Sequence, residues 1–231
     1  MNPFDESILH FLNGFAHRSQ VFDEFVVLVC MNNFLKGALI FTIVWYLWFQ
    51  NEGNNEKREY LLVGVSASFA GLVVAKMLTY VIHRARPFND PHFDLRVPYG
   101  IHAVSWEGLN SFPSDHAVLF FALATGIFLA SRPIGWLVYS YVTLVICLPR
   151  VYLGIHFPTD ILAGAIIGVS TAGLGHFPGI RQPLARGAFR WIDKWPGLFY
   201  AFSFLLTYLV CELFDPVIGI VKFILRGQLP G

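Results

Sequence analysis

The chain has 231 residues, of which 55% are hydrophobic, 16% aromatic and only 13% charged. An ordinary soluble domain carries about 25% charged residues, so this chain falls short by roughly half and reads as a polytopic membrane protein. A formal net charge of +1 argues against nucleic acid as a partner, since no basic face is large enough to track a phosphate backbone.

The N-terminus lacks the positive stretch and uninterrupted apolar core of a signal peptide. Instead Phe4, Ile8, Phe11, Leu12 and Phe15 recur at helical spacing, with Asn2 as N-cap and Pro3 at the first helical position. An amphipathic helix is predicted, lying either along the membrane surface or against the protein's own core. Residues 20–31 are apolar but interrupted by Asp23 and Glu24, which predicts a partly buried or interfacial segment. Six apolar stretches then approach the ~20 residues that span a bilayer: 34–50, 61–82, 116–131, 135–149, 160–177 and 197–214. A further apolar piece, 216–225, follows Asp215-Pro216. The predicted fold is an all-α integral membrane bundle of about six transmembrane helices plus the N-terminal helix. No internal repeat or linker divides it, so residues 1–231 are read as a single domain.

Basic residues give the orientation. Lys57 and Arg58 lie in loop 51–60, Arg132 in 131–135, and Arg181, Arg186, Arg190 and Lys194 in 178–196. If the six stretches alternate, those loops share the cytoplasmic side, and residues 83–115 and 150–159 share the other. Cys30, Cys147 and Cys211 all fall in apolar runs without metal-ligand spacing and read as buried thiols.

Three polar clusters interrupt the apolar pattern, all on the outward side. Ionisable residues near a bilayer are costly and mark function by default. Arg84-Ala-Arg86-Pro87 closes the second apolar stretch. Pro113-Ser114-Asp115-His116 opens the third, where a helix N-terminus offers free N–H groups and positive dipole to a phosphate. Ser114 adds a hydroxyl donor and His116 a candidate acid. In Arg150-Val-Tyr-Leu-Gly-Ile-His156-Phe-Pro-Thr-Asp160, Pro158 marks another helix start. There the Asp160 carboxylate is expected to accept the His156 Nδ1–H and free Nε2 as a nucleophile. Arg150 would offer a two-pronged grip on phosphate oxygens. Each cluster alone also has a plainer reading: a serine cap with an incidental histidine, an Arg150–Asp160 ion pair, and an arginine snorkelling to headgroups. His83, His92, His102 and His176 have no partner at useful spacing and read as interfacial or loop histidines, while His10 and His17 belong to the amphipathic N-terminal segment.

Together the clusters are far more specific, and the sequence resembles the type 2 phosphatidic acid phosphatase superfamily, PAP2. That family's pattern is Lys-x6-Arg-Pro, Pro-Ser-Gly-His and Ser-Arg-x5-His-x3-Asp, and the resemblance covers roughly residues 60–177. It implies that His156 attacks phosphorus to form a phosphohistidine, with Asp160 orienting it. His116 would protonate the leaving oxygen and then activate water, while Arg86, Arg150 and Ser114 hold the phosphate. The family requires no metal or other cofactor, and no carboxylate cluster suited to magnesium or calcium is evident.

Three positions depart from the pattern. Thr79 stands where the family lysine is expected, leaving Lys76 or Arg84 as its replacement; Asp115 replaces the glycine; Pro149 replaces the serine. The Pro-Ser-Asp-His form with Arg-Pro-Phe is similar to the bacterial undecaprenyl diphosphate phosphatase branch. The resemblance therefore implies hydrolysis of that lipid at the outer face of a bacterial cytoplasmic membrane, with lipid phosphates and membrane lipids as partners. A phosphatidylglycerophosphate or phosphatidic acid phosphatase, or a lipid phosphotransferase, would use the same residues. A transporter would instead place polar residues deep in several helices. The oligomeric state is left open.

Overall fold

The computed structural model describes residues 2–90, 92–93, 95–101 and 110–213. His102, Asp215-Pro216 and the apolar piece 216–225 lie outside the described residues. Among those described the fold is helical throughout, with no strand.

Helix α1, Pro3–Asn13, is capped by Asn2, whose side chain accepts the Phe4 N–H at 3.1 Å. Its Asp5 and Leu9 are buried while Phe4 and Phe11 are exposed, and it packs against the third polar cluster. Helix α2, Gln20–Met31, holds the acidic interruption noted in the sequence. Asp23 is fully buried there, accepting from Tyr152 Oη at 2.5 Å and from the N–H groups of His17 and Tyr99 at 3.1 Å. A buried carboxylate survives because it is fully hydrogen-bonded. At Asn32, which leaves the helix in an extended conformation, the chain bends by 59°. A π-helical turn, Phe34–Ala38, then leads into α3, Leu39–Gln50.

Helix α4, Asn55–Val81, begins inside the predicted loop 51–60, because Asn54 caps it by accepting the Lys57 N–H at 3.2 Å. Helix α5, Asp115–Ala130, is apolar on all sides and buried on nearly all of them, as a helix wrapped by neighbours must be. Helices α4, α6 and α8 pack around it. Helix α6, Arg132–Tyr141, runs through a π-helical turn, Val142–Cys147, into α7, Leu148–Tyr152. The wide turn precedes Pro149, which has no N–H to give the regular ladder. Helix α8 spans Pro158–Gly175 and α10 Pro196–Cys211. Between them the predicted loop 178–196 is a helix, α9, Pro178–Lys194.

Among the described residues three helices are individually long and apolar enough to cross a membrane: Asn55–Val81, Arg132–Tyr152 and Pro158–Gly175. The bent pair Gln20–Met31 with Phe34–Gln50 makes a fourth if it is one span. Helices α5 and α10 are apolar but shorter. The chain is thus a helical membrane protein. An apolar cavity of about 460 Å³ between α3, α4, α9 and α10 shares no residue with the polar clusters.

Candidate active site

Glycines set the spacing of α5 and α8. A Cβ on Gly164 would sit 2.7 Å from the Ser114 carbonyl oxygen, and one on Gly168 would sit 2.4 Å from that of Val118. Only bare backbone permits such an approach. It brings the start of α5 onto the start of α8, where Ser114 N–H donates to the Asp160 carbonyl at 3.2 Å. The end of α4 joins them through Asn110. Its Nδ2 donates to the Thr79 and Ile82 carbonyls, and its Oδ1 accepts the N–H groups of Arg84 and Phe112 at 3.1 Å. The turn before His156 needs Gly154, whose φ is +67°; its carbonyl accepts the Phe88 N–H at 3.1 Å. All three clusters meet at one end of the bundle.

His156 is buried, and its Nδ1 lies 2.8 Å from the Ser111 carbonyl oxygen. A carbonyl can only accept, so Nδ1 carries the proton and Nε2 keeps its lone pair. The expected direct bond to Asp160 is replaced by this one: Asp160 Oδ2 stands 3.8 Å from Nδ1. The carboxylate instead accepts from the Ser111 hydroxyl and from the Phe157 N–H at 2.8 Å, while Oδ1 accepts from Arg84 Nη1 at 2.6 Å. Asp160 therefore reaches the imidazole mainly through the residue that fixes its tautomer. Burial pushes the His156 pKa below the ordinary imidazole value, opposed by Asp160 and assisted by Arg86 and Arg150.

Arg86 is buried, with Nη1 donating to the Ile155 carbonyl at 3.2 Å and Nη2 to the Asn110 carbonyl at 3.5 Å. Burial draws its guanidinium down to about 10, so it remains charged at neutral pH. Arg150 is also buried, and its Nη1 donates to the Ile146 carbonyl. One prong of its fork is thus already engaged. Ser114 is the N-cap of α5, accepting the Ala117 N–H at 3.5 Å, so Pro113 stands before the cap and not in the first turn. The hydroxyl hydrogen of Ser114 stays available as a donor. His116 follows in the first turn of α5, partly buried, with its ring 6.3 Å from that of Phe120.

Neither candidate for the missing lysine stands as a simple replacement. Lys76 Nζ lies 2.6 Å from Asp115 Oδ2, so this candidate is paired with the residue that replaces the family glycine. Arg84 is committed to carboxylates: Nη1 to Asp160 and Nη2 to Asp5 at 2.7 Å. Asp5, Asn110 and Ser111 as a carbonyl acceptor escape sequence reasoning. Asp5 alone carries a signal, since it shares with Leu9 and Leu12 the inward stripe of α1. Of the remaining histidines, His176 bonds the Ala172 carbonyl at the far end of α8, His92 pairs with Asp90 and His17 with the Val97 carbonyl.

The sequence profile of the PAP2 superfamily matches residues 59–176. An undecaprenyl-diphosphatase from Bacillus subtilis, BcrC, is 27% identical over 158 residues, 68% of this chain and 75% of its own. A lipid A 4'-phosphatase from Porphyromonas gingivalis is 27% identical over 173 residues, 72% of this chain and 67% of its own. The crystal structure of LpxE from Aquifex aeolicus superposes with a TM-score of 0.51 at 22% identity, covering 73% of this chain and 92% of that one.

Proposed function

The chain belongs to the PAP2 superfamily, and on that premise we propose that it is a membrane lipid phosphatase converting undecaprenyl diphosphate to the monophosphate. The observation that carries the reading is the His156 tautomer: the Ser111 carbonyl holds the Nδ1 proton and leaves Nε2 nucleophilic beside two buried guanidinium groups. Nε2 attacks the terminal phosphorus, an N–P bond forms, and the bond to the leaving lipid phosphate breaks. His116 gives its proton to the departing oxygen. Neutral His116 then takes a proton from water, whose oxygen attacks the phosphohistidine and releases inorganic phosphate. Arg86, Arg150, Ser114 and the α5 N-terminus meet the charge on the equatorial oxygens, which is where phosphoryl transfer needs help.

The substrate assignment is supported by the Bacillus relative, whose name gives undecaprenyl diphosphate, and by the Pro-Ser-Asp-His form of the second motif. We also infer six crossings, with α5 and α10 completing their spans through polar end residues, and a site on the outer side of the cytoplasmic membrane. The test is phosphate release by detergent-purified protein, with EDTA present, from undecaprenyl diphosphate, lipid A, phosphatidylglycerophosphate and phosphatidic acid, beside His156→Ala. Release from the undecaprenyl lipid that vanishes in His156→Ala supports the reading. Preference for another lipid corrects the substrate, and activity retained in His156→Ala overturns the nucleophile.

A further inference from the structure

The N-terminal helix reaches the candidate site through one side chain. Asp5, 1% exposed, accepts three hydrogen bonds. Its Oδ1 takes the Thr159 N–H at 2.9 Å, and its Oδ2 takes Thr159 Oγ1 at 2.6 Å and Arg84 Nη2 at 2.7 Å. The other prong of Arg84, Nη1, goes to Asp160 Oδ1 at 2.6 Å and to Thr159 Oγ1 at 2.8 Å. The guanidinium lies 3.7 Å over the Phe157 ring, which fixes its plane. Its backbone is tied to the same loop, donating to Asn110 Oδ1 and accepting the Ser111 N–H at 2.8 Å.

A guanidinium beside one carboxylate prefers the two-pronged arrangement, with parallel bonds to both oxygens. Here Asp5 holds one prong away, so Asp160 receives a single bond on Oδ1. Its Oδ2 is left for the Ser111 hydroxyl, the Phe157 N–H and the approach of His156. We propose that Asp5 is a positioning residue for catalysis, dividing the Arg84 fork so that Asp160 keeps the geometry that orients Ser111 and His156. An asparagine at this position would turn an NH2 group toward Arg84 and Thr159, donors facing donors. Arg84 would then swing both prongs onto Asp160, drawing Oδ2 off the Ser111 hydroxyl. The His156 ring would lose its fixed aim at phosphorus while the arginines that hold the phosphate stay in place. The loss therefore falls on turnover and not on binding.

This inference rests on the phosphatase reading above, and its test separates the two. Turnover of the lipid that the wild type prefers is measured for Asp5→Asn, Asp5→Ser, Asp160→Asn and the Asp5→Asn/Asp160→Asn double variant. Glu6→Gln, from the same helix, is the control and keeps turnover within about twofold. Asp5→Asn is expected to lower kcat about 10- to 100-fold with KM within about twofold, since misaim by an ångström has that effect. In the Asp160→Asn background the same change is expected to cost less than about twofold, because both act on one unit. Equal losses in both backgrounds, a rise in KM alone, or failure of both Asp5 variants to yield folded protein would assign Asp5 to the fold and overturn the proposal. An inactive wild type overturns the phosphatase reading itself.

Discussion

At His156 burial opposes the imidazolium while Asp160 favours it, and the burial wins. The facing groups are Asp160 from α8, Arg86 from the loop after α4, Arg150 from α7 and His116 from α5. The nucleophile must be neutral, and a lowered pKa extends the neutral form to more acid solution. The acid limb of kcat/KM is therefore expected below the ordinary imidazole value of about 6.5. Asp160→Asn removes the group that raises the pKa, so its residual activity should show that limb displaced further toward acid. A limb above the ordinary value in the wild type would contradict the burial argument. The Lys76–Asp115 pair makes a second forecast. The Lys76 side chain is 60% exposed, so the pair adds little stability, but it masks a carboxylate one residue from Ser114. Lys76→Met should raise KM, and adding Asp115→Asn should bring it back; an unchanged KM in Lys76→Met would remove any role for the pair in binding. His156 and Asp160 stand four residues apart, so their proximity at 3.8 Å could be read from local spacing, while His116 was proposed from the motif around it. For Asp5 the sequence held only its place on the inward stripe of α1; its partner Thr159 lies 154 residues away, and no local pattern records that contact.

At the scale of elements, the site depends on how closely α5 and α8 approach. Gly168→Val would drive a branched side chain into the Val118 carbonyl, which lies 2.4 Å from an added Cβ. Backbone cannot yield as a flexible side chain can, so a loss of at least about 1–3 kcal/mol is expected, with activity falling alongside as Ser114 leaves Asp160. Thermal unfolding in detergent reads the first effect and phosphate release the second; an unchanged midpoint would mean that the helices have slack to separate. Most of the apolar helices could be read from hydropathy, since a lipid-facing or core helix advertises itself by composition. Helix α9 could not, because Arg181, Arg186, Arg190 and Lys194 with Pro183 give it the look of a loop. Its signal was periodicity: Ala185, Ala188, Phe189 and Ile192 repeat at helical spacing, and all four contribute to its packed side. The burial of Asp23 in α2 was hidden for another reason. Asp23 reads as a charge at an interface until its three donors, from His17, Tyr99 and Tyr152, come together in space.

For the whole molecule, the two ends of the bundle use their cations differently. At the site end Arg84 is held by carboxylates, while Arg86 and Arg150 donate to backbone carbonyls. At the other end Arg58 lies 4.2 Å over Trp48, and Arg181 reaches Glu59 at 3.3 Å and stacks 5.2 Å over Tyr60. Arg132, Arg186, Arg190 and Lys194 add to that end's charge. Retention of positive loops in the cytoplasm acts on such juxtamembrane residues, whereas arginines engaged in a folded site answer to chemistry. The proposed orientation, site outward and α9 inward, rests on the loop cations at the α9 end. Single cysteines in a background lacking Cys30, Cys147 and Cys211 test it, using the exposed positions Glu52 and His92. His92→Cys should react with a membrane-impermeant maleimide in intact cells, and Glu52→Cys only after lysis. The reverse pattern would turn the protein over in the membrane and make the hydrolysed lipid an inner-leaflet one. Labelling of both in intact cells would place the two ends on one side and break the alternation of spans on which the six-helix reading depends.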